Sequence, residues 1–340
     1  MPIIESGYTC KRIFRNGHIQ TILPYFYRKE INITNKITEV IHTDDGDELT
    51  SYKFNSNSET RKLAIITHGL EGNGNDPYYV EFAKHLNNEN YDCVTWTMRT
   101  CNGVIKKTSK FYNACDYCDL ELIISHFEKD YDEIYLVGVS LGGSITANYL
   151  GREGDKIHSK IKASTIISTP VDLHSSSASL GKFLSRKLYS PRFVSSIKKK
   201  ILEKSKEVDL GLDLSKVKSA KVIKDIDEHV VGPIYNFTGA YDYYEKGSSL
   251  PYIKNIECPL LIINALDDPF LGKECFPFKE AKDHKLLFLE APKHGGHVGF
   301  ILSKGDKMYW YEKRAIEFFA NHWVLFLFSY FFVSLYKINW

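Results

Sequence analysis

The sequence lacks the features that would send the chain out of the cell or give it a strongly charged partner. Residues Met1–Arg15 contain no basic stretch followed by an apolar core, so no secretory signal is expected. The formal net charge of the 340 residues is +2, so overall charge selects no partner and gives no reason to expect nucleic acid. No internal repeat or low-complexity linker divides the chain. These absences favour a folded cytoplasmic protein.

The cysteines show no pairing pattern. There are 7, an odd number, scattered from Cys10 to Cys275, which is typical of reduced thiols in a cytosolic setting. Cys115 and Cys118 form a Cys-x-x-Cys pair, but no second pair accompanies them for zinc. Because this pair falls at the start of a predicted helix, we interpret it as ordinary helical sequence and predict no metal site.

Short β-rich runs alternate with longer helical patterns along the chain. A hairpin is predicted at Thr38–Thr43 and Leu49–Phe54. Six further apolar runs predict strands at Leu63–Thr67, Cys93–Thr97, Ile134–Val139, Ser164–Ser168, Leu260–Asn264 and Lys285–Leu289. Helical patterns occur at Tyr78–Leu86, Asp119–Phe127, Leu141–Leu150 and Met308–Phe319. This order predicts an α/β fold with eight mostly parallel strands in one sheet and helices on both faces.

One segment interrupts the alternation. Residues 171–253 form a long insertion after the sixth predicted strand, with helical stretches such as Phe193–Leu202. We predict a single domain over residues 1–320 in which this insertion is a helical cap. Between Lys182 and Lys224 the insertion carries 13 Lys or Arg against four acidic residues. These charges indicate either a solvated helical face or a surface that docks on an anionic membrane or substrate.

Residues 138–142 read Gly-Val-Ser-Leu-Gly. This pattern ends the strand Ile134–Val139 and opens the helix Leu141–Leu150, which is the context of a nucleophilic serine on a sharp strand-to-helix turn. Glycines on both sides of Ser140 let the backbone pass closely at such a turn. The positive end of the helix then lies beside the Ser140 hydroxyl. We therefore predict that Ser140 is a catalytic nucleophile.

A serine nucleophile needs a base, and the base needs an orienting carboxylate, in the chain order Ser, acid, His. Two acidic candidates, Asp267 and Asp268, follow the strand Leu260–Asn264. Asp268 is preferred because it lies farther past the strand and directly before Pro269, which would fix the turn. Asp267 is expected to satisfy backbone donors instead.

Two histidines, His294 and His297, lie in the loop after the next predicted strand. His297 is preferred as the base because Gly295 and Gly296 let the loop turn back over the nucleophile. His294 is expected to be its structural partner. Two histidines without a third ligand at suitable spacing do not make a zinc site.

Two backbone amides are expected to bind the oxyanion that forms during acyl transfer. One is the N–H of Leu141, directly after the predicted nucleophile. The other is the N–H of Leu70, in the loop at residues 67–73 after the third predicted strand. His68 lies directly at the end of that strand, so we expect it to make a structural hydrogen bond.

Several of these motifs occur together in one known family. They are Asn16-Gly17-His18-Ile19-Gln20-Thr21-Ile22, His68-Gly69-Leu70-Glu71-Gly72, Gly138-Val139-Ser140-Leu141-Gly142-Gly143, Asn264-Ala265-Leu266-Asp267-Asp268-Pro269-Phe270 and His294-Gly295-Gly296-His297-Val298-Gly299-Phe300. With them the sequence resembles the YheT-type α/β hydrolases, which include fungal medium-chain ethyl ester synthases and animal abhydrolase-domain lipases and esterases. The resemblance covers about residues 8–320.

The resemblance implies the α/β-hydrolase fold, with Ser140, Asp268 and His297 as a catalytic triad. It also implies hydrolysis, or sometimes alcoholysis, of esters with short or medium acyl chains. One position departs from the family pattern. Where the family usually has Arg-Gly-Cys-Ser-Gly, residues 99–103 read Arg-Thr-Cys-Asn-Gly. Thr100 in place of glycine is expected to alter the rim of the pocket.

We therefore predict a serine esterase or lipase, a carboxylic ester hydrolase that acts on a lipid or small-molecule ester. Two alternatives stay open. The same triad would serve an acyltransferase that uses an alcohol in place of water, and a hydrolase fold can also bind ligands without catalysis. The complete Ser, Asp and His set argues against the second alternative. No cofactor is predicted.

Residues Trp323–Tyr336 form an almost continuous aromatic and aliphatic run within an apolar tail at residues 321–340. As a helix these 14 residues would cover about 21 Å, short of the roughly 30 Å hydrocarbon core of a bilayer. We expect an interfacial anchor or a segment packed on protein. Together with the basic cap, the tail predicts peripheral contact with a membrane.

Overall fold

A sheet of nine strands organises the part of the chain that this computed structural model describes, which is residues 3–28, 35–103, 108–303 and 305–321. The strands are β1 (Ile3–Ile4), β2 (Lys36–His42), β3 (Glu48–Phe54), β4 (Lys62–Thr67), β5 (Asp92–Thr97), β6 (Glu133–Val139), β7 (Ile161–Ile167), β8 (Leu260–Ile263) and β9 (Leu287–Glu290). Their order across the sheet is β1-β9-β8-β7-β6-β4-β5-β3-β2. Strand β3 runs antiparallel to β2 and to β5, and the other neighbouring pairs are parallel.

The predicted fold class is confirmed, with one strand more than expected. The eight predicted strands are present, and their ends differ from the prediction by no more than three residues. The additional strand, β1, has only two residues and pairs with β9 through Ile3 and Leu289. Two residues carry no periodic pattern, so this strand could not be predicted from the sequence.

Helices connect the strands and cover both faces of the sheet. They are α1 (Gly17–Tyr27), α2 (Pro77–Asn88), α3 (Cys118–Phe127), α4 (Leu141–Glu153), α5 (Leu173–Gly181), α6 (Phe183–Leu188), α7 (Ser190–Lys204), α8 (Leu214–Ser219), α9 (Ile223–Ile226), α10 (Gly232–Ile234), α11 (Ala240–Gly247), α12 (Phe278–Asp283) and α13 (residues 310–321). A π-helical turn at Asp227–Val231 joins α9 to α10. The four predicted helices outside the insertion correspond to α2, α3, α4 and α13.

Apolar side chains fill the spaces between the sheet and its helices. On one face Leu136 of β6 belongs to a cluster with Ile123 of α3. On the other face Val137 belongs to a cluster with Phe82 of α2 and Phe319 of α13. Both faces of the central strands are therefore buried, which explains why these strands appear in the sequence as nearly continuous apolar runs.

The insertion between β7 and β8 contains α5 to α11 and has its own small apolar cluster. Val194 and Ile201 of α7 pack there with Phe111. The basic side chains of this region are not all solvated. Lys204 is 2% exposed, and Lys198 donates to backbone carbonyls at the end of α8. Part of the positive charge of the cap therefore stabilises the cap itself.

A buried arginine joins the first hairpin to α3. The Arg99 side chain is 5% exposed and forms ion pairs with Asp45, Asp47 and Asp119. These contacts fix the chain immediately before Thr100, the position where the family usually has glycine. Thr100 has a φ of +63°, in the left-handed region that favours glycine. The departure in sequence thus places a β-branched residue in strained backbone.

The apolar tail at residues 323–336 lies outside the described residues. Within the described ranges, no helix combines the length and the apolar character that a bilayer crossing requires. Membrane contact through the tail therefore stays a prediction.

Candidate active site

Ser140 lies on a sharp turn between β6 and α4. Its φ of +54° and ψ of −118° form a backbone conformation that non-glycine residues rarely adopt. The neighbouring glycines make the turn possible. A Cβ atom on Gly138 would lie 2.6 Å from the Gly143 Cα, and one on Gly142 would lie 2.2 Å from the carbonyl oxygen of Thr67. Glycine is therefore required at these positions for steric reasons, because side chains there would push α4 away from the sheet.

Three polar side chains form a hydrogen-bonded line that ends at Ser140. The Ser140 Oγ lies 2.9 Å from Nε2 of His297, and Nδ1 of that ring lies 2.9 Å from Oδ2 of Asp268. The side chain of Asp268 is fully buried and that of His297 is 9% exposed. Because the carboxylate accepts the Nδ1 proton, Nε2 is left as the acceptor for the Ser140 hydroxyl.

The second candidate of each pair lies beside this line. Asp267 contacts Nδ1 of His294 at 3.2 Å and accepts a hydrogen bond of 2.9 Å from the N–H of Gly296. The structure therefore brings Asp268 and His297 to Ser140. Asp267 and His294 pair with each other and hold the loop that carries His297.

Helix α1 supports the same loop from the other side. The Oγ1 of Thr21 accepts a hydrogen bond of 2.8 Å from the N–H of His297. A Cβ atom on Gly17 would lie 1.8 Å from the carbonyl oxygen of Asp267, so α1 and the loop after β8 are in direct backbone contact. The motif at residues 16–22 can be recognised from the sequence, but its role is visible only in these contacts.

An aromatic ring fixes the orientation of the imidazole. Phe270 stacks on His297, with ring centroids 4.0 Å apart and planes 17° apart. Tyr189, at the start of α7, packs against Phe270 in turn, with ring centroids 4.7 Å apart. The position of the imidazole is therefore coupled to the cap. No local sequence pattern signals a stacking partner, so this role of Phe270 could not be predicted.

The two amides predicted to bind an oxyanion are both available. Leu141 is the first residue of α4, so its N–H has no acceptor within the helix. Within the described residues, the N–H of Leu70 likewise has no protein acceptor. A Cβ atom on Gly69 would lie 3.1 Å from the Ser140 Cβ, so the loop at residues 67–73 lies against the nucleophile turn.

His68 is buried beneath this loop and has the structural contacts expected of it. Its Nε2 accepts a hydrogen bond of 2.9 Å from the N–H of Met98, so Nδ1 carries the proton and donates to the Gly69 carbonyl at 2.7 Å. Burial lowers the pKa of His68 to about 4, which keeps the ring neutral. His68 thereby fixes the backbone immediately before Leu70.

Glu71 connects the loop at residues 67–73 to the cap. Its carboxylate accepts hydrogen bonds from the hydroxyl of Tyr112 at 2.6 Å and from Nζ of Lys200 at 2.8 Å, and also from the hydroxyl of Ser196. Lys200 and Ser196 belong to α7. The position of Leu70 therefore depends on a cap helix, a link that the sequence does not reveal.

A cavity of about 1130 Å³ contains Ser140 and His297 in its wall. The cap, the loop at residues 67–73 and α1 all contribute to this wall. Its aromatic members are Tyr25, Phe26, Tyr78, Tyr79, Phe111, Tyr112, Tyr189, Phe193, Tyr243, Tyr244 and Phe270. The lining is therefore suited to an extended apolar group next to Ser140.

Metal ligands and the Cys-x-x-Cys pair are the other groups that could carry chemistry. The described residues contain no group of three His, Cys, Asp or Glu side chains that could hold a metal ion. Cys115 and Cys118 are free thiols. Burial raises the pKa of each of them to about 11, so neither is a thiolate near neutral pH.

The sheet topology and the Ser–His–Asp line define a class of proteins. The α/β hydrolase fold family matches residues 64–303, more than half of the chain. The chain therefore belongs to the α/β-hydrolase family.

Individual relatives identify the branch of this family. YheT of Escherichia coli (strain K12), to which esterase activity is ascribed, is 28% identical over 296 residues, 85% of this chain and 86% of that protein. Phospholipase ABHD3 of Homo sapiens is 27% identical over 330 residues, 94% of this chain and 80% of that protein. The predicted YheT-type relationship is confirmed. Esterase Pf2001 of Pyrococcus furiosus, at a TM-score of 0.56 and 16% identity over 86% of this chain and 96% of that one, shares the fold.

Replacing Gly17 by Ala tests the support that α1 gives to the histidine loop. The new Cβ would collide with the Asp267 carbonyl oxygen, so the helix or the loop must move. We expect a kcat about tenfold or more below that of the wild-type protein on p-nitrophenyl butyrate, because small displacements of a catalytic group are costly. The free energy of unfolding should fall by about 1–3 kcal/mol.

Gly7→Ala is the matched control, since a Cβ there would have no atom within 4 Å. It should leave both kcat and stability unchanged. Equal kcat values for Gly17→Ala and wild-type protein would mean that α1 does not position His297.

Proposed function

We propose that the protein is a serine hydrolase that cleaves carboxylic esters of short- or medium-chain acids through an acyl-enzyme. The observation that carries the proposal is the hydrogen-bonded line from Ser140 through His297 to Asp268, with both distances at 2.9 Å, in the wall of an apolar cavity. The general class, a carboxylic ester hydrolase, is confirmed by the family and by its relatives. The roles of the residues and the acyl length are the proposal.

The first half of the reaction acylates the serine. His297 takes the hydroxyl proton of Ser140 through Nε2 while the Ser140 Oγ attacks the ester carbonyl carbon. The N–H groups of Leu70 and Leu141 stabilise the oxyanion of the tetrahedral intermediate. As the intermediate collapses, His297 gives its proton to the leaving alcohol, and the acyl group stays on Ser140.

The second half releases the acyl group. Water attacks the acyl-enzyme, with His297 again acting as the base, and Ser140 is regenerated with its proton. Asp268 holds the imidazole in the tautomer that both halves require. An alcohol in place of water would form a new ester from the same acyl-enzyme, which is the acyltransferase alternative.

Substitutions in the triad test the assignment. Ser140→Ala should abolish labelling by a fluorophosphonate probe and leave the far-UV circular dichroism unchanged. Asp268→Asn and His297→Gln should each lower kcat by at least about 10³, because the base is lost or held in the wrong tautomer.

Asp267→Asn and His294→Gln serve as controls for the same two loops. Their effects should be far milder, since these side chains support the loop without reaching Ser140. Equal losses at His294 and His297 would remove the support for His297 as the base.

The cavity predicts a preference for longer acyl chains. Each CH₂ group buried against apolar side chains contributes about 0.8 kcal/mol, which is about fourfold in kcat/KM. We therefore expect p-nitrophenyl esters of about four to ten carbons to exceed the acetate ester in kcat/KM. Highest kcat/KM on acetate, measured across the series at constant detergent, would contradict an apolar acyl site.

We further propose that the surface formed by α1 and α6 contacts anionic membranes. Phe26 on α1 and Phe183 on α6 are 72% and 66% exposed. The start of α1 contacts the end of α6, because Nδ1 of His18 lies 2.9 Å from the hydroxyl of Tyr189, directly after α6. Residues 173–192 contain four Lys or Arg and no acidic residue. Apolar side chains among positive charges suit shallow insertion between anionic headgroups.

Co-sedimentation with phosphatidylserine-containing vesicles at low salt tests this surface. The Phe26→Asp, Phe183→Asp double variant should stay in the supernatant when the wild-type protein sediments. Val40→Asp is the control, at a residue that is 52% exposed on the edge strand β2. A form that ends at Asn321 measures the contribution of the apolar tail. If full-length protein does not sediment, the membrane proposal is wrong.

A further inference from the structure

Asp227 is an acidic side chain of the cavity wall to which the described residues supply no basic partner. Asp227 begins the π-helical turn of the cap, and its Oδ2 accepts a hydrogen bond of 2.6 Å from the hydroxyl of Tyr244. Within the described residues, its Oδ1 has no hydrogen-bond partner, and no Lys, Arg or His forms an ion pair with it. This oxygen is not enclosed by protein, and the residue lines the cavity that contains Ser140.

Several other buried carboxylates are compensated by a cation. These ion pairs are Glu71 with Lys200 at 2.8 Å, Asp119 with Arg99 at 2.7 Å and Glu290 with Arg314 at 2.9 Å. Asp227 lacks such a partner, and burial raises its pKa to about 7. An uncompensated carboxyl group in such surroundings is unfavourable for folding. Its place in the wall of a ligand-sized cavity indicates that a bound molecule supplies the missing partner.

The hydroxyl groups around Asp227 are already committed. The hydroxyl of Ser177 donates to the Tyr244 hydroxyl at 2.9 Å, and Tyr244 in turn donates to Asp227. Each of these hydroxyl groups has a single proton, so neither can donate to Oδ1 as well. Oδ1, which these hydroxyl groups leave free, is therefore an acceptor on a residue that lines the cavity.

Contacts link Asp227 to the turn that carries Ser140. Asp227 accepts a hydrogen bond from Tyr244, and Tyr244 belongs to an apolar cluster against which Leu141 packs, directly after Ser140. The carboxyl group and Ser140 line the same cavity. An extended substrate held at Ser140 in this cavity therefore has Asp227 in its surroundings.

We propose that Asp227 determines specificity by accepting a hydrogen bond from a hydroxyl or amine group that the ester carries away from the scissile bond. This inference rests on the proposed ester hydrolysis at Ser140. A purely alkyl chain in the same place would displace water from Oδ1 and offer no hydrogen-bond donor. The free energy of binding would then include the cost of desolvating the carboxyl group, with no new hydrogen bond to offset it. The site thus selects esters with a donor over alkyl esters of equal length.

Two series of matched esters test the preference. In one series the alcohol portion varies among pentyl, 4-hydroxybutyl and 4-aminobutyl octanoate. In the other the acyl portion varies among p-nitrophenyl nonanoate, 8-hydroxyoctanoate and 8-aminooctanoate. At pH 8 we expect a donor-bearing ester to exceed its alkyl counterpart about tenfold in kcat/KM in at least one series. A preference below twofold in both series would overturn the inference.

Two substitutions separate charge from hydrogen bonding. Asp227→Leu should abolish the preference for both donors, whereas Asp227→Asn, which keeps an acceptor, should retain the hydroxyl preference and lose the advantage of the amine. Glu245→Gln is the control, since it removes one charge from an exposed position of α11. An unchanged preference in both Asp227 variants would show that the carboxyl group does not recognise the donor group of the substrate.

A stability measurement adds a readout that does not depend on turnover. At pH 8 the carboxyl is ionised, because its pKa of about 7 lies below this pH. Asp227→Asn should then raise the melting temperature, while Glu245→Gln should not. A lower melting temperature for Asp227→Asn would contradict the claim that the charge is uncompensated in the free protein.

Binding of ethers distinguishes failure of this inference from failure of the proposed hydrolysis. Pentyl octyl ether and 4-hydroxybutyl octyl ether cannot be hydrolysed, and calorimetry gives their affinities directly. If the fluorophosphonate probe does not label Ser140 but Asp227 still selects the hydroxyl-bearing ether, hydrolysis is wrong and the recognition site stands. If labelling succeeds and the two ethers bind equally, only the role of Asp227 is wrong.

Discussion

The hydrogen bond between Ser140 and His297 joins two loops separated by 157 positions in the chain, and much of the surrounding structure serves to keep it short. The serine occupies a strained turn, and such a turn persists only where the surrounding structure holds it in place. The sheet and α4 supply that constraint through backbone contacts that glycines alone permit. On the histidine side, α1 and the Asp267–His294 pair hold the loop. The requirement for glycine at position 17 is thus a remote consequence of this one hydrogen bond.

The cap takes part in the same arrangement. Glu71 fastens the loop that carries Leu70 to α7, and Tyr189 packs on the phenyl ring that covers the imidazole. A movement of α7 would therefore displace the N–H of Leu70 and the imidazole of His297 together. One positive charge of the cap is part of this coupling, because Lys200 forms an ion pair with Glu71 in the wall of the cavity.

The sequence predicts those parts of the site that depend on local pattern and chain order. The strand-to-helix turn at Ser140, the chain order of Ser140, Asp268 and His297, and the long buried strands are of this kind. Thr21, Phe270 and Asp227 are different, because their roles arise from contacts between elements far apart in sequence. The partner of the histidine N–H lies 276 positions away, and no periodicity encodes such a contact.

Four of the eight described non-glycine residues with positive φ line the cavity. They are Glu71, Thr100, Ser140 and Val298. An uncompensated carboxyl group at Asp227 lies in the same wall. A fold selected for stability alone would place glycine at the strained positions and a neutral side chain at position 227. The rest of the domain, with both faces of its sheet buried, stabilises these unfavourable local conformations. The presence of several of them around one cavity indicates where binding and chemistry take place.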